Sequence, residues 1–204
     1  MLFAKRSYPE IQAWKIPLYA LALAVLGVYG TKVMFWMENG FYAGTSFFGA
    51  VLFTPFAMAL VAYSMRIRWT YGLDVCGPAE CIMLAMMKAH CMYVGCCNGK
   101  IIWSDFTGTT IRFPSQLAEL VNALVLTGVL LTVIRRGKWK ERVYALYLIL
   151  YGVSRFLLNL LRETDTFLLG LPAGNFWSII SILAGLTWLL IVREGRGVDN
   201  EKNA

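Results

Sequence analysis

The run QLAELVNALVLTGVLLTVI (residues 116–134), the basic link RRGKWKER (135–142) and the run VYALYLILYGVSRFLLNLL (143–161) together decide the fold. Each outer run is 19 residues long and almost wholly apolar, close to the ~20 residues a helix needs to cross a ~30 Å hydrocarbon core. Outward from this pair, further apolar blocks lie at 16–37, 45–65, 75–95 and 175–192, giving about six spans. In lipid each must be helical, because no water is available to satisfy a broken backbone. The expectation is an all-α, polytopic transmembrane helical bundle. Of the 204 residues, 58% are hydrophobic and 15% charged, against roughly a quarter charged in soluble domains. No linker, low-complexity tract or internal repeat divides the chain, so 1–204 reads as a single integral membrane domain with short tails at 1–15 and 193–204. The first block is long enough to stay as an anchor, and no small-residue cleavage site follows it.

A net charge of +7 would suit nucleic acid, but the basic residues sit mainly in short links between apolar blocks, where membrane topology places them. Nucleic-acid binding is therefore not expected. With the N-terminus in the cytoplasm, the inside segments collect Lys5, Arg6, Lys15, Arg66, Arg68, Arg135, Arg136, Lys138, Lys140, Arg142, Arg193, Arg196 and Lys202. The outside segments hold Lys100, Arg112 and Arg162. That asymmetry predicts two cytoplasmic termini and an outer connection at 96–115.

An ionisable side chain within a span costs at least ~2.5–3.5 kcal/mol on insertion scales, so it needs a partner or a watery cavity. Tyr151, Arg155, Asn159 and Arg162 follow i, i+4, i+8 and i+11 on one helical face. Arg155 stays charged, and its planar fork matches phosphate or carboxylate. Two readings stand side by side: a lipid-phosphate site, or a structural ion pair with Glu80 or Glu119. Glu80 and Lys88 share a face of the third span, where an internal pair between them is the plainer reading. Pro114 suits a first helical turn, Arg112 the lipid–water boundary, and Gln116 and Glu119 the start of a helix facing the bundle. Capping is the plainer reading of Ser115 and Glu119.

Five cysteines, Cys76, Cys81, Cys91, Cys96 and Cys97, accompany the lone His90. There is no C-x2-C pair, so the spacing fits neither a zinc ribbon nor a dithiol redox motif. Cys96 and Cys97, being adjacent, could form only a strained disulfide. No metal and no cofactor are expected. His90 is either a satisfied buried histidine or a general base, since its reference pKa lies near neutrality.

Taken in order, these pieces resemble the prolipoprotein diacylglyceryl transferase family. Its R-x-G-N/C-F-x-x-G signature, often continued as G-C-C-Y-G, falls in frame with Lys88-Ala89-His90-Cys91-Met92-Tyr93-Val94-Gly95-Cys96-Cys97-Asn98-Gly99-Lys100. Its R-H-P-S-Q-L-Y-E corresponds to Arg112-Phe113-Pro114-Ser115-Gln116-Leu117-Ala118-Glu119. Its Y-G-x-x-R-F-x-x-E-x-x-R corresponds to Tyr151-Gly152-Val153-Ser154-Arg155-Phe156-Leu157-Leu158-Asn159-Leu160-Leu161-Arg162. Asn175-Phe176-Trp177-Ser178 echoes its last glycine-plus-serine span. The family's S-F-H-G-G becomes Ser46-Phe47-Phe48-Gly49-Ala50, so its histidine is absent. Asn159 stands for an acid and Lys88 for an arginine. The chain reads as a divergent, shortened relative.

The resemblance implies a transferase of the bacterial cytoplasmic membrane that uses phosphatidylglycerol, or a similar anionic phospholipid, at the outer leaflet. A lipoprotein precursor or another thiol would be the acceptor. Arg155 is then expected to meet the lipid headgroup, with Lys88, Arg112, Ser115, Gln116, Glu119, Tyr151, Asn159 and Arg162 lining the site. His90, or a thiolate of Cys96 or Cys97, would serve as base or nucleophile. Two alternatives remain: a non-catalytic lipid- or partner-binding descendant of that family, and a membrane thiol-redox or metal-binding protein.

Overall fold

The structure, a computed structural model, describes residues 16–40, 44–65, 69–97, 99–104, 110–137, 139–162 and 166–202. The tail at 1–15 and the links carrying Arg66, Arg68 and Lys138 lie outside the described residues. Among the described residues six helices run in order: α1 (Ile16–Asn39), α2 (Phe47–Met65), α3 (Trp69–Val94), α4 (Ser115–Arg136), α5 (Val143–Leu160) and α6 (Ala173–Lys202). The most extensive packing joins α5 to α6, α3 to α4 and α1 to α2. Segments of α1, α4, α5 and α6 are long and apolar enough to cross a membrane, while α2 is a shorter apolar helix.

The burial pattern is that of a protein solvated by lipid. Leu21, Val25, Leu124, Val125, Leu157 and Leu190 lie exposed on the helix surfaces, whereas Asp74, Glu80, Lys88, Gln116, Glu119 and Asn159 are buried. A water-soluble bundle sorts these types the other way; in hydrocarbon the polar side chains must turn inward to find partners. The chain is a helical membrane bundle.

Two short antiparallel hairpins add to the expected helices. One pairs β1 (Ile101–Ser104) with β2 (Thr110–Arg112), and the other pairs β3 (Thr166–Leu168) with β4 (Leu171–Pro172). They occupy the α3–α4 and α5–α6 connections, which the apolar pattern leaves as plain links. The connections meet where Gly99 bridges to Arg162 and the Lys100 N–H donates to the Leu161 carbonyl at 3.0 Å.

Two boundaries differ from the hydropathy reading. The third helix begins at Trp69 rather than near residue 75, because Asp74 interrupts the apolar run without interrupting the helix. Its carboxylate is fully buried and accepts from the N–H groups of Glu141 (2.6 Å), Val143 (3.0 Å) and Tyr144 (3.3 Å). These donors lie at the start of α5, where first-turn N–H groups have no helical partner. Asp74 thus caps a helix from a different one. At the other end, the residues read as a C-terminal tail continue α6 to Lys202; no proline lies among them to end the ladder.

At Gly49, retained from the S-F-H-G-G motif, α2 crosses α1 closely. A Cβ there would stand 2.6 Å from the Thr31 Cα, so only a bare α-carbon allows the crossing. Beside it Phe48 is buried, its ring 5.4 Å from that of Tyr151.

Candidate functional site

Glu119, the fifth residue of α4, is the hub of the polar interior, with its side chain only 3% exposed. Its Oε2 lies 2.8 Å from Lys88 Nζ on α3 and 2.5 Å from Arg155 Nη1 on α5. Its Oε1 accepts from Arg162 Nη1 at 3.2 Å. The Arg155 contact is an ion pair. Three cations against one carboxylate leave a surplus of two positive charges. Glu38, at the end of α1, lies within electrostatic reach of Arg155 and offsets one of them. Among the described residues one positive charge is still left over.

The surplus is not sealed from outside. The side chains of Arg155 and Arg162 are each 15% exposed and that of Lys88 is 11%. The buried Nε of Arg162 has no hydrogen-bond partner among the described residues. A buried, charged donor left unmade costs more than a neutral one, and such a nitrogen at the edge of a cationic cluster suits an oxyanion.

Of the two partners proposed for Arg155, the structure selects Glu119. It also corrects the expected Glu80–Lys88 pair. Eight residues along one helix separate the two by about 12 Å, and Lys88 turns to Glu119 on the adjacent helix instead. Glu80 lies deeper, its Oε1 3.3 Å from the Tyr144 hydroxyl, which donates to the Val51 carbonyl at 2.7 Å.

The other expected site residues divide into groups. Arg162 joins the cluster. Tyr151 is buried in an aromatic stack with Phe47, Phe48 and Tyr147. Asn159 donates to Asn175 Oδ1 at 2.6 Å, tying α5 to α6. Ser115 and Gln116 each donate at 2.5 Å to a backbone carbonyl, that of Cys97 and Cys96 respectively. They pin the loop after α3 rather than cap their own helix, whose N-cap position is Pro114. Arg112, on β2, is exposed, with Nη1 3.5 Å from the Gly99 carbonyl.

His90 is exposed. It follows the buried Lys88 by two residues, about 200° around the helix, so it is not brought to the Glu119 cluster. The buried-histidine alternative fails with it. Sequence reasoning missed Glu38, whose Oε1 accepts from Ser46 Oγ at 2.8 Å. Its signal was an acid at the end of the first span, just before Ser46-Phe47-Phe48-Gly49.

All five cysteines are free. Their spacing fits neither a zinc ribbon nor a dithiol motif, yet the Sγ atoms of Cys91, Cys96 and Cys97 all lie within 4.8 Å of one another. A hydrogen bond with the Cys91 thiol holds the exposed Cys96 thiol below its ordinary value.

Known proteins give this arrangement a context. The family model for prolipoprotein diacylglyceryl transferase matches residues 4–191. A phosphatidylglycerol–prolipoprotein diacylglyceryl transferase of Geobacter sulfurreducens is 32% identical over 161 residues, 73% of this chain and 62% of the relative. One from Teredinibacter turnerae is 30% identical over 64% of this chain and 48% of its own length. One from Clostridium tetani is 24% identical over 89% of this chain and 81% of the relative. The chain thus spans about half to two thirds of the length of the first two. With the match extending over nearly every described helix, the chain belongs to the prolipoprotein diacylglyceryl transferase family.

Proposed function

We propose that the chain is a six-pass enzyme of the bacterial cytoplasmic membrane, both termini cytoplasmic, that transfers the diacylglyceryl group of phosphatidylglycerol to a cysteine thiol of a lipoprotein precursor. The observation that carries this reading is the surplus of positive charge around one buried carboxylate, on the residues that match the family's motifs. A dianionic group is not needed to balance it; one phosphodiester charge suffices.

In the reaction the acceptor sulfur, as thiolate, attacks the glycerol carbon that bears the phosphate. A carbon–sulfur bond forms, the carbon–oxygen bond to phosphate breaks, and glycerol phosphate leaves with the electron pair. The thiol proton passes to solvent or to a base. Charge grows on the departing phosphate as that bond lengthens, and fixed cations placed beforehand stabilise it at little reorganisation cost. Arg155 and Arg162 are the residues for this role. Glu119 holds their guanidinium groups in place, and Lys88 reinforces the field.

The test uses purified full-length chain in nanodiscs of headgroup-labelled phosphatidylglycerol with a cysteine-bearing lipoprotein-signal peptide. Labelled glycerol phosphate and lipidated peptide should appear together, and Arg155→Ala should lower both by about two orders of magnitude, the scale of one lost oxyanion contact. A folded wild-type chain that releases no headgroup overturns the enzyme reading. Phe48, buried where the family has a histidine, favours a second reading in which the lipid is bound and not turned over. Retained phosphatidylglycerol without product would establish it.

A further inference from the structure

We propose that Cys91, Cys96 and Cys97 form a three-thiolate site for a thiophilic divalent cation of the zinc class, distinct from the Glu119 cluster. The claim stands apart from the transfer reaction, since its readout is the metal itself. Three sulfur atoms within 4.8 Å of one another need little movement to reach the spacing of about 3.8 Å that a tetrahedral ion with ~2.3 Å metal–sulfur bonds sets.

The chain is bent to bring them there. Helix α3 ends at Val94, and Gly95 turns left-handed at φ 74°. The N–H groups of Gly95 and Cys96 both donate to the Cys91 carbonyl, at 2.9 and 3.2 Å, which folds residue 96 back over the last helical turn. Cys97 then adopts φ 61°, a conformation uncommon for residues other than glycine. The Cys96 and Cys97 carbonyls are fixed from α4 by Gln116 and Ser115. The two sulfurs therefore hang from a backbone already set in place, and less order has to be created on binding.

The chemistry selects the ion. Among the described residues no carboxylate belongs to the cluster, which disfavours magnesium and calcium, and thiolates favour soft or borderline ions. Three thiolates around a 2+ ion carry one negative charge, which falls within electrostatic reach of Lys88. Cys96 and Cys97 are exposed, so the fourth position opens to water.

The experiment titrates reduced, full-length chain in nanodiscs with Co2+ as the spectroscopic stand-in, followed by Zn2+. One equivalent of Co2+ should produce thiolate-to-metal charge-transfer absorption, and Zn2+ should bleach it. Cys96→Ser and Cys97→Ser should each lose the band, while Cys76→Ser keeps it. As a measurement on the unaltered chain, Zn2+ should slow alkylation of all three clustered thiols. Absence of the band in reduced protein, an unchanged band in the two serine variants, or unprotected thiols at saturating Zn2+ would overturn the proposal. So would isolation of the chain with a Cys91–Cys96 disulfide that blocks Zn2+ uptake.

Discussion

Glu119 concentrates the electrostatics of the bundle on one side chain, since Lys88 reaches it from α3, Arg155 from α5 and Arg162 from the connection after α5. Removing one partner from a buried ion pair leaves the other's charge uncompensated, a loss of about 3–5 kcal/mol. The partial exposure of the three cations places Glu119→Gln at the low end, about 3 kcal/mol. Unfolding in detergent measures this, with Lys88→Met in a double-mutant cycle. The paired variant should lose at least about 1 kcal/mol less than the two single losses added together; strict additivity would show that Lys88 and Glu119 do not act as a unit. At this scale the sequence was informative about which residues matter and less so about who meets whom, offering Glu119 only as one of two partners for Arg155. Helical spacing put Arg155 and Arg162 on one face. It could not put Lys88 beside Glu119, because that contact is set by how two helices pack, and a repeat along one helix holds no record of its neighbour.

The elements were legible wherever an apolar block coincides with a helix, as in α4 and α5, whose bounds match the runs at 116–134 and 143–161 within two residues. The reading failed at α3 because a buried acid looks like a boundary to hydropathy while serving as a cap in space. Asp74 accepts three N–H groups at the start of α5, so Asp74→Ala strands those donors and removes a charge that favours a helix N-terminus. The expected loss is about 2 kcal/mol, the upper end for a helix cap. Asp74→Asn, which retains one acceptor oxygen, should lose less. Amide hydrogen exchange locates the effect: protection should fall at the first turn of α5 and persist in α4. Uniform loss across the bundle would mean that Asp74 acts through core packing instead. The hairpins were missed for a related reason. Their strands are two to four residues long, too short for a period of two to stand out.

For the whole molecule, the two ends of the bundle carry different chemistry, and contacts between connections fix which links share an end. Gly99 pairs with Arg162, so the α3–α4 and α5–α6 connections lie together, beside the cysteine cluster and Glu119. Asp74, near the start of α3, contacts the start of α5, so the start of α3 and the α4–α5 connection lie together at the other end. That second end carries Arg135, Arg136, Lys140 and Arg142, and basic links remain on the cytoplasmic side. In the proposed topology the cysteine end faces outward. In intact spheroplasts a membrane-impermeant maleimide should therefore modify Cys96 and Cys97, both exposed, while a Lys140→Cys variant gains label only after the membrane is permeabilised. Mass spectrometry assigns each adduct, and chelation and mild reduction beforehand keep the thiols free. The reverse pattern would place the Glu119 cluster in the inner leaflet, where a secreted precursor's thiol has not yet crossed. The proposed transfer would then lose its acceptor even if every cation held a phospholipid.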